Sequence, residues 1–151
     1  MTALSDTSIA FWCNPAPDRY ELPLVEPYDP THLQPCSYDL SVDADLDLDP
    51  LEFKLLSTIE KVNIPYHIQG QIYGRSSIGR LGVFIHISAG FIDAGFRGNL
   101  TLECFNASKE PFYVPYGTRV AQIGFYLLDQ PARSPYRGRY QNQKGVTPSK
   151  L

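Results

Sequence analysis

Charge, cysteine and long apolar runs are all scarce in this sequence. Only 19% of the 151 residues are charged, and 13 Lys plus Arg against 16 Asp plus Glu leave a formal net charge of −3. Such a chain offers no overall attraction to a phosphate backbone, so nucleic acid is not expected as a partner. No run approaches the roughly 18 consecutive apolar residues of a membrane span. The opening stretch, MTALSDTSIAFWCNPAPD, has neither the basic start nor the apolar centre of a secretory leader, so a cytoplasmic protein is expected. Cys13, Cys36 and Cys104 are odd in number and widely spaced, which gives no disulfide framework and reads as reduced thiols. The histidines, His32, His67 and His86, lack any ligand spacing, and the histidine–glutamate and paired-cysteine pattern of a catalytic zinc site is missing. His86, in an apolar run, reads as a hydrogen-bonded core residue. No glycine-rich P-loop, Ser/His/Asp order or C-x-x-C motif is found.

Hydrophobic residues, at 43%, suffice for one folded domain, and 13 Pro, 11 Gly and 10 Tyr point to many short strands joined by tight turns. Residues 1–34 are expected to be irregular. A helical turn around Ile9, Ala10 and Phe11 is possible there, but Pro15, Pro17, Pro23, Pro27 and Pro30 forbid long elements. From 37 to 49 the pattern has period two, with Leu40, Val42, Ala44, Leu46 and Leu48 on one side and Asp43, Asp45, Asp47 and Asp49 on the other, as in a half-buried strand. That acidic edge either binds a cation or, as the preferred reading, stays solvated and discourages edge-to-edge pairing. Further strands are expected at 52–60, 67–73, 83–88, 99–105, 112–114 and 119–127, with a helical turn at 76–81. This pattern specifies a mainly β sandwich or barrel over 35–130. Residues 131–151 hold Arg133, Arg137, Arg139, Lys144 and Lys150, no acid and little apolar material. They read either as a loose basic terminus or as a segment that folds over an anionic ligand.

Three stretches carry candidate chemistry. In Gly74-Arg-Ser-Ser-Ile-Gly-Arg-Leu-Gly82, Ser76 and Ser77 at the start of a helical turn can present hydroxyls and N–H groups to an anion, and Arg75 and Arg80 supply charge-assisted donors. A plain surface turn with solvated arginines is the alternative. In Ala89-Gly-Phe-Ile-Asp-Ala-Gly-Phe-Arg-Gly98, Asp93 is a carboxylate among Phe91, Ile92 and Phe96 that needs a partner or a task. In Leu100-Thr-Leu-Glu-Cys-Phe-Asn106, alternation separates Leu100, Leu102 and Cys104 from Thr101, Glu103 and Phe105. Glu103 on a partly desolvated face suits proton shuttling, though a paired structural Glu fits the spacing as well.

Together these motifs resemble the dCTP deaminase family of the trimeric dUTPase-like superfamily. The run GRSSIGRLGVFIHISAGFIDAGFRGNLTLECFN carries the resemblance, and YGTRVAQIGF and SPYRGRYQNQKGVTPS extend it. PCSYDLSV and PLEFKLLSTIEKVNIP are similar to the family's earlier strands, so the match runs from about Pro35 to Ser149. The resemblance implies a dUTPase-like distorted jelly roll, or β-clip, assembling as a homotrimer whose sites form between subunits. It implies Glu103 as catalytic glutamate, with Ser76, Arg80 and the Ala89 carbonyl holding water and substrate. Substrate-binding positions are implied at Arg75, Ser76, Ser77, Ile78, Gly79, Arg80, Ala89, Gly90, Phe91, Asp93, Thr101, Leu102, Glu103 and Gln122. A C-terminal lid over 131–151 would contribute Tyr136, Gln143 and Arg139, the last falling where the family usually has Lys.

The implied ligand is a deoxypyrimidine triphosphate with Mg²⁺ held through its phosphates and no zinc. Ala89-Gly-Phe-Ile-Asp93 and Gln122 resemble bifunctional members that form dUMP, in place of the His-Arg pair of single-step deaminases. A plain dUTPase, a dCTP/dUTP diphosphatase and a non-catalytic nucleotide-binding regulator are the alternatives. Glu103 argues against the first, and intact Ser76, Arg80, Asp93 and Glu103 against the last.

Overall fold

A computed structural model describes residues 2–16 and 22–151; Met1 and Pro17 lie outside the described residues. Two antiparallel sheets and a two-stranded ribbon organise the chain. The larger sheet contains β1 (Thr2–Ala3), β3 (Leu33–Gln34), β4 (Ser37–Ser41), β7 (Ile68–Gly74), β9 (Phe91–Ile92) and β12 (Arg119–Leu127). Its order is β3-β4-β12-β7-β9, with β1 pairing the end of β12 beyond β4. The second sheet has the order β2-β6-β10-β8, formed by β2 (Val25–Glu26), β6 (Phe53–Asn63), β8 (Val83–Ile85) and β10 (Arg97–Asn106). The ribbon pairs β5 (Leu46–Leu48) with β11 (Phe112–Val114). The core fills with fully buried Tyr38, Leu40, Leu46, Leu48, Leu102, Ile123 and Phe125.

Three elements differ from the sequence pattern, each for a physical reason. The single strand expected over 37–49 is two, β4 and β5, and Ala44 is exposed rather than aligned with the apolar row. Between them the Asp45 carboxylate accepts from the Tyr116 N–H at 2.8 Å and from the Tyr113 hydroxyl at 3.2 Å. A short acidic side chain that bonds nearby backbone competes with the strand ladder. β8 stops at Ile85, short of the expected Ser88, because His86 takes φ 67°, a left-handed backbone that cannot continue a strand. The proline-rich start holds an eight-residue helix, α1 (Asp6–Cys13), and not a single turn. Asp6 lies in its first turn, where negative charge favours the helix N-terminus. Ile9 and Cys13, four residues apart on one face, reach the common core.

The second half of the molecule positions the site. β10 pairs with β6 along its length, and a bulge between Asn99 and Thr101 bends it. Leu102 and Cys104 point inward with no exposure, so Thr101, Glu103 and Phe105 face outward as the alternation predicts. The helical turn α2 (Ser76–Gly79) follows β7, shorter than the 76–81 expected.

The tail then folds back onto 94–101. Tyr136 N–H donates to the Ala94 carbonyl at 2.8 Å, Asn142 N–H to the Arg97 carbonyl at 2.8 Å, and Asn99 N–H to the Gln143 carbonyl at 3.1 Å. Two glycines admit it. At Gly98, φ 143°, a Cβ would lie 2.8 Å from the Gln143 oxygen, and at Gly95, φ 92°, it would lie 2.6 Å from Pro135 Cβ.

Candidate active site

The outward face of β10, the loop around β9 and the returning tail enclose a cavity of about 590 Å³. Glu103 stands on one wall, directly opposite Leu55 of β6. Ala89, Phe91 and Asp93 come from the loop, Thr101 from β10, and Tyr136 and Gln143 from the tail. The Gly90 carbonyl accepts from Ile72 N–H at 3.0 Å, which anchors the loop to β7. Thr101 Oγ1 accepts from Thr147 N–H at 3.1 Å, and Gln143 Nε2 donates to the Asn99 carbonyl at 2.7 Å. Tyr136 packs edge-on to Phe96, ring centroids 5.7 Å apart, and its hydroxyl accepts from Tyr140 N–H at 3.2 Å. The cavity thus has largely apolar walls with two carboxylates and a few fixed polar groups, the make-up of a small-molecule site.

His86 also lines this cavity, and the structure corrects its reading as a hydrogen-bonded core residue. Both ring nitrogens are shielded from solvent and, among the described residues, lack a hydrogen-bond partner, while the His86 backbone N–H donates to the Glu103 carbonyl at 2.8 Å. Its apolar surroundings gave the sequence no sign of this. Tyr140 and Thr147 are further lining residues that the sequence did not single out.

The remaining expected residues form a second group around α2 and β12. Ser76, Ser77, Gly79 and Arg80 are exposed. Arg75, and not a serine, occupies the N-cap, and no side chain caps the turn, so the expected serine cap is absent. Arg75 N–H donates to the Val120 carbonyl at 3.1 Å, tying the turn to β12. Gln122 lies on β12 between Asp39 of β4 and Tyr73 of β7. Ile78 and Leu102 bury their side chains in the core and leave only backbone for a ligand. Arg139 lines no part of the cavity and donates through Nη1 to the Lys150 carbonyl. Of the four residues expected to be catalytic, Glu103 and Asp93 therefore share the cavity, whereas Ser76 and Arg80 sit on the exposed turn. Among the described residues no hydrogen bond or ion pair joins the turn to the cavity wall.

The tail's attachment leads to one expected result. Deleting residues 135–151 removes Tyr136, Gln143 and Thr147 from the cavity but none of the buried core. Cooperative thermal unfolding should persist while kcat/KM for the nucleotide substrate falls at least tenfold, since a closing segment excludes water and completes the site. Unchanged kcat/KM in the truncated chain would show that the tail is no lid.

Comparison with solved structures gives first the fold. The native dUTPase of EIAV superposes with a TM-score of 0.58 at 23% identity, covering 77% of this chain and 92% of that one. The 2′-deoxycytidine 5′-triphosphate deaminase of Agrobacterium tumefaciens superposes at 0.70 with 20% identity, covering 83% of this chain and 49% of that one. The architecture is therefore dUTPase-like.

Sequence then narrows the class. The dCTP deaminase-like family profile matches residues 41–128. The dUMP-forming dCTP deaminase of Aquifex aeolicus is 37% identical over 154 residues, spanning 84% of this chain and 85% of the relative. That of Dictyoglomus turgidum is 46% identical over 108 residues, spanning 69% and 56%. This chain belongs to the dCTP deaminase-like family.

Proposed function

We propose that the protein is a zinc-independent, dUMP-forming dCTP deaminase that converts dCTP and two waters to dUMP, ammonia and diphosphate. The observation that carries this reading is Glu103 and Asp93 in one cavity that the tail covers, on a chain of this family. Glu103 takes a proton from a water that Ser76 and the Ala89 carbonyl hold. The oxygen attacks C4 of cytosine, and the proton passes through Glu103 toward N3 and the departing ammonia. Arg80 steadies Glu103 or the charge that develops. Asp93 then orients a second water toward the α-phosphorus, and diphosphate leaves. Positioned proton transfer of this kind contributes about 10²–10⁴ in rate, and fixed dipoles and orientation supply much of the rest. His86 lines the same cavity.

Arg75 to Arg80, Thr101 to Glu103, Gly90, Phe91 and Gln122 complete the substrate site, with Tyr136, Arg139 and Gln143 closing it. Among the described residues no three His, Cys, Asp or Glu side chains cluster as metal ligands. Mg²⁺ would enter bound to the triphosphate, in keeping with its preference for phosphate and water oxygens, and would neutralise phosphate charge there. Two residue groups that do not meet within one chain support a homotrimer in which one subunit's turn at 75–80 completes another's Glu103 cavity. Cytoplasmic nucleotide metabolism is the matching setting, and no helix among the described residues is long and apolar enough to cross a membrane.

A chromatographic time course of dCTP, dUTP, dUMP and dCMP tests the reaction. dUMP and diphosphate should form with little free dUTP, and Gln122→Ala should slow diphosphate release more than deamination so that dUTP accumulates. Stoichiometric dUTP from the unmodified protein would leave a single-step deaminase. Accumulating dCMP without ammonia would instead identify a diphosphatase.

A further inference from the structure

Strand β4 carries a carboxylate that the scheme above does not use. Asp39 is only 1% exposed, and its Oδ2 lies 3.3 Å from Arg75 Nη2 and 3.4 Å from Arg119 Nη1. Gln34 Nε2 donates to the same oxygen at 3.3 Å. A lone carboxylate commonly engages one guanidinium by its two-pronged face. Here two guanidiniums each reach one oxygen through a single nitrogen, Nη2 of Arg75 and Nη1 of Arg119. Arg119 makes its contacts to Asp39 and to the Thr31 carbonyl, at 3.0 Å, through Nη1, which among the described residues leaves Nε and Nη2 for another partner. Arg75 Nη1 donates to the Arg119 carbonyl at 3.1 Å, which locks the two arginines side by side.

Two guanidiniums share the one buried carboxylate; the further carboxylate that Arg119 acts on, Asp29, is exposed to solvent, and the arginine side chains keep 29% and 37% of their surface exposed. Holding like charges together beside a buried carboxylate is unfavourable unless a further anion meets them. The pair also lies where an anion is needed, because Arg75 starts the Ser76–Gly79 turn and Arg119 begins the strand that carries Gln122. The unengaged edge of the planar Arg119 guanidinium matches phosphate oxygens.

We propose that Arg119 is a second phosphate-binding cation of the substrate site, and that buried Asp39 positions it beside Arg75. The ligand class is a polyphosphate chain. This inference rests on the deaminase reading, in which that chain belongs to dCTP. Asp39 is a positioning residue and touches no substrate.

The test combines dCTP kinetics with calorimetric binding of inorganic triphosphate, on the full chain. Arg119→Gln should raise KM for dCTP at least tenfold, by more than it lowers kcat, and weaken inorganic triphosphate to a similar degree. Arg119→Lys, which keeps the charge but loses the fork, should fall between. Asp39→Asn should shift KM in the same direction, and the KM penalty from each change should shrink from dCTP to dCDP to dCMP. A KM within about twofold of wild type in folded Arg119→Gln would overturn the proposal. If Arg119→Gln does not fold, Arg119→Lys decides, and an unchanged KM there would overturn it. Triphosphate binding that depends on Arg119, in a protein that releases no ammonia from dCTP, would remove the deaminase reading and keep this one. Turnover of dCTP with a KM and triphosphate affinity indifferent to Arg119 would do the reverse.

Discussion

Glu103→Gln is expected to lower ammonia release from dCTP by about 10²–10⁴-fold, the usual range for removing a positioned proton-transfer group. The substitution keeps the side chain's size and replaces only its ability to take and return a proton. It should leave folding intact, because the side chain faces the cavity while its neighbours Leu102 and Cys104 fill the core. Among the described residues no ion pair holds Glu103, so nothing buried loses a partner. The measurements are ammonia release, dCTP binding and thermal unfolding of the same preparation. Activity within about threefold of wild type would remove Glu103 from the mechanism.

The second large effect is a recovery. On the proposed trimeric reading, Arg80→Ala and Glu103→Gln chains should each be almost inactive. Arg80 is exposed on the turn after α2 and Glu103 lies in the cavity, so on that reading the two lesions fall in different halves of a site shared between subunits. Co-expressed with different tags and isolated as mixed trimers, the two chains should regain activity. In every mixed trimer, whichever chain is in the majority, one of the three sites joins two unmodified halves, so roughly a third of the wild-type rate is expected. Mixed trimers no more active than their parents would show that the site lies within one subunit, or that the turn at 75–80 has no part in it.

Much of this architecture was legible in period-two patterning. Phe112–Val114 and Arg119–Leu127 coincide with their expected strands, and the outward row Thr101, Glu103, Phe105 was readable from alternation alone. What escaped the pattern depended on contacts far apart in sequence. The break after Ser41 requires Asp45 to meet Tyr113 and Tyr116, and the end of β8 requires a left-handed His86. In the site, Glu103, Asp93, Tyr136 and Gln143 share a cavity as the family resemblance implied, but nothing in spacing separates them from Ser76 and Arg80. Asp39 and Arg119 stand 80 residues apart, so only the pairing of β4 with β12 brings them together. Serine capping of α2 failed for a simpler reason, since Arg75 takes the N-cap position and both serines lie inside the turn.

The docking of the tail has a second consequence, for solubility. Toward its C-terminal end β10 is flanked by β6 and β8, but around Gly98 and Asn99 the neighbour on one side is the tail, through a parallel bridge from Gly98 to Gln143. There the tail acts as a short protective strand on a stretch of backbone that would otherwise be open. Unpaired strand edges recruit other chains. On the lid reading proposed above, each opening of the tail to admit substrate or release product would briefly bare a sticky seam, and a chain cut before residue 135 would bare it permanently. The same segment would then both shut water out of the cavity and keep one molecule's sheet from growing into the next.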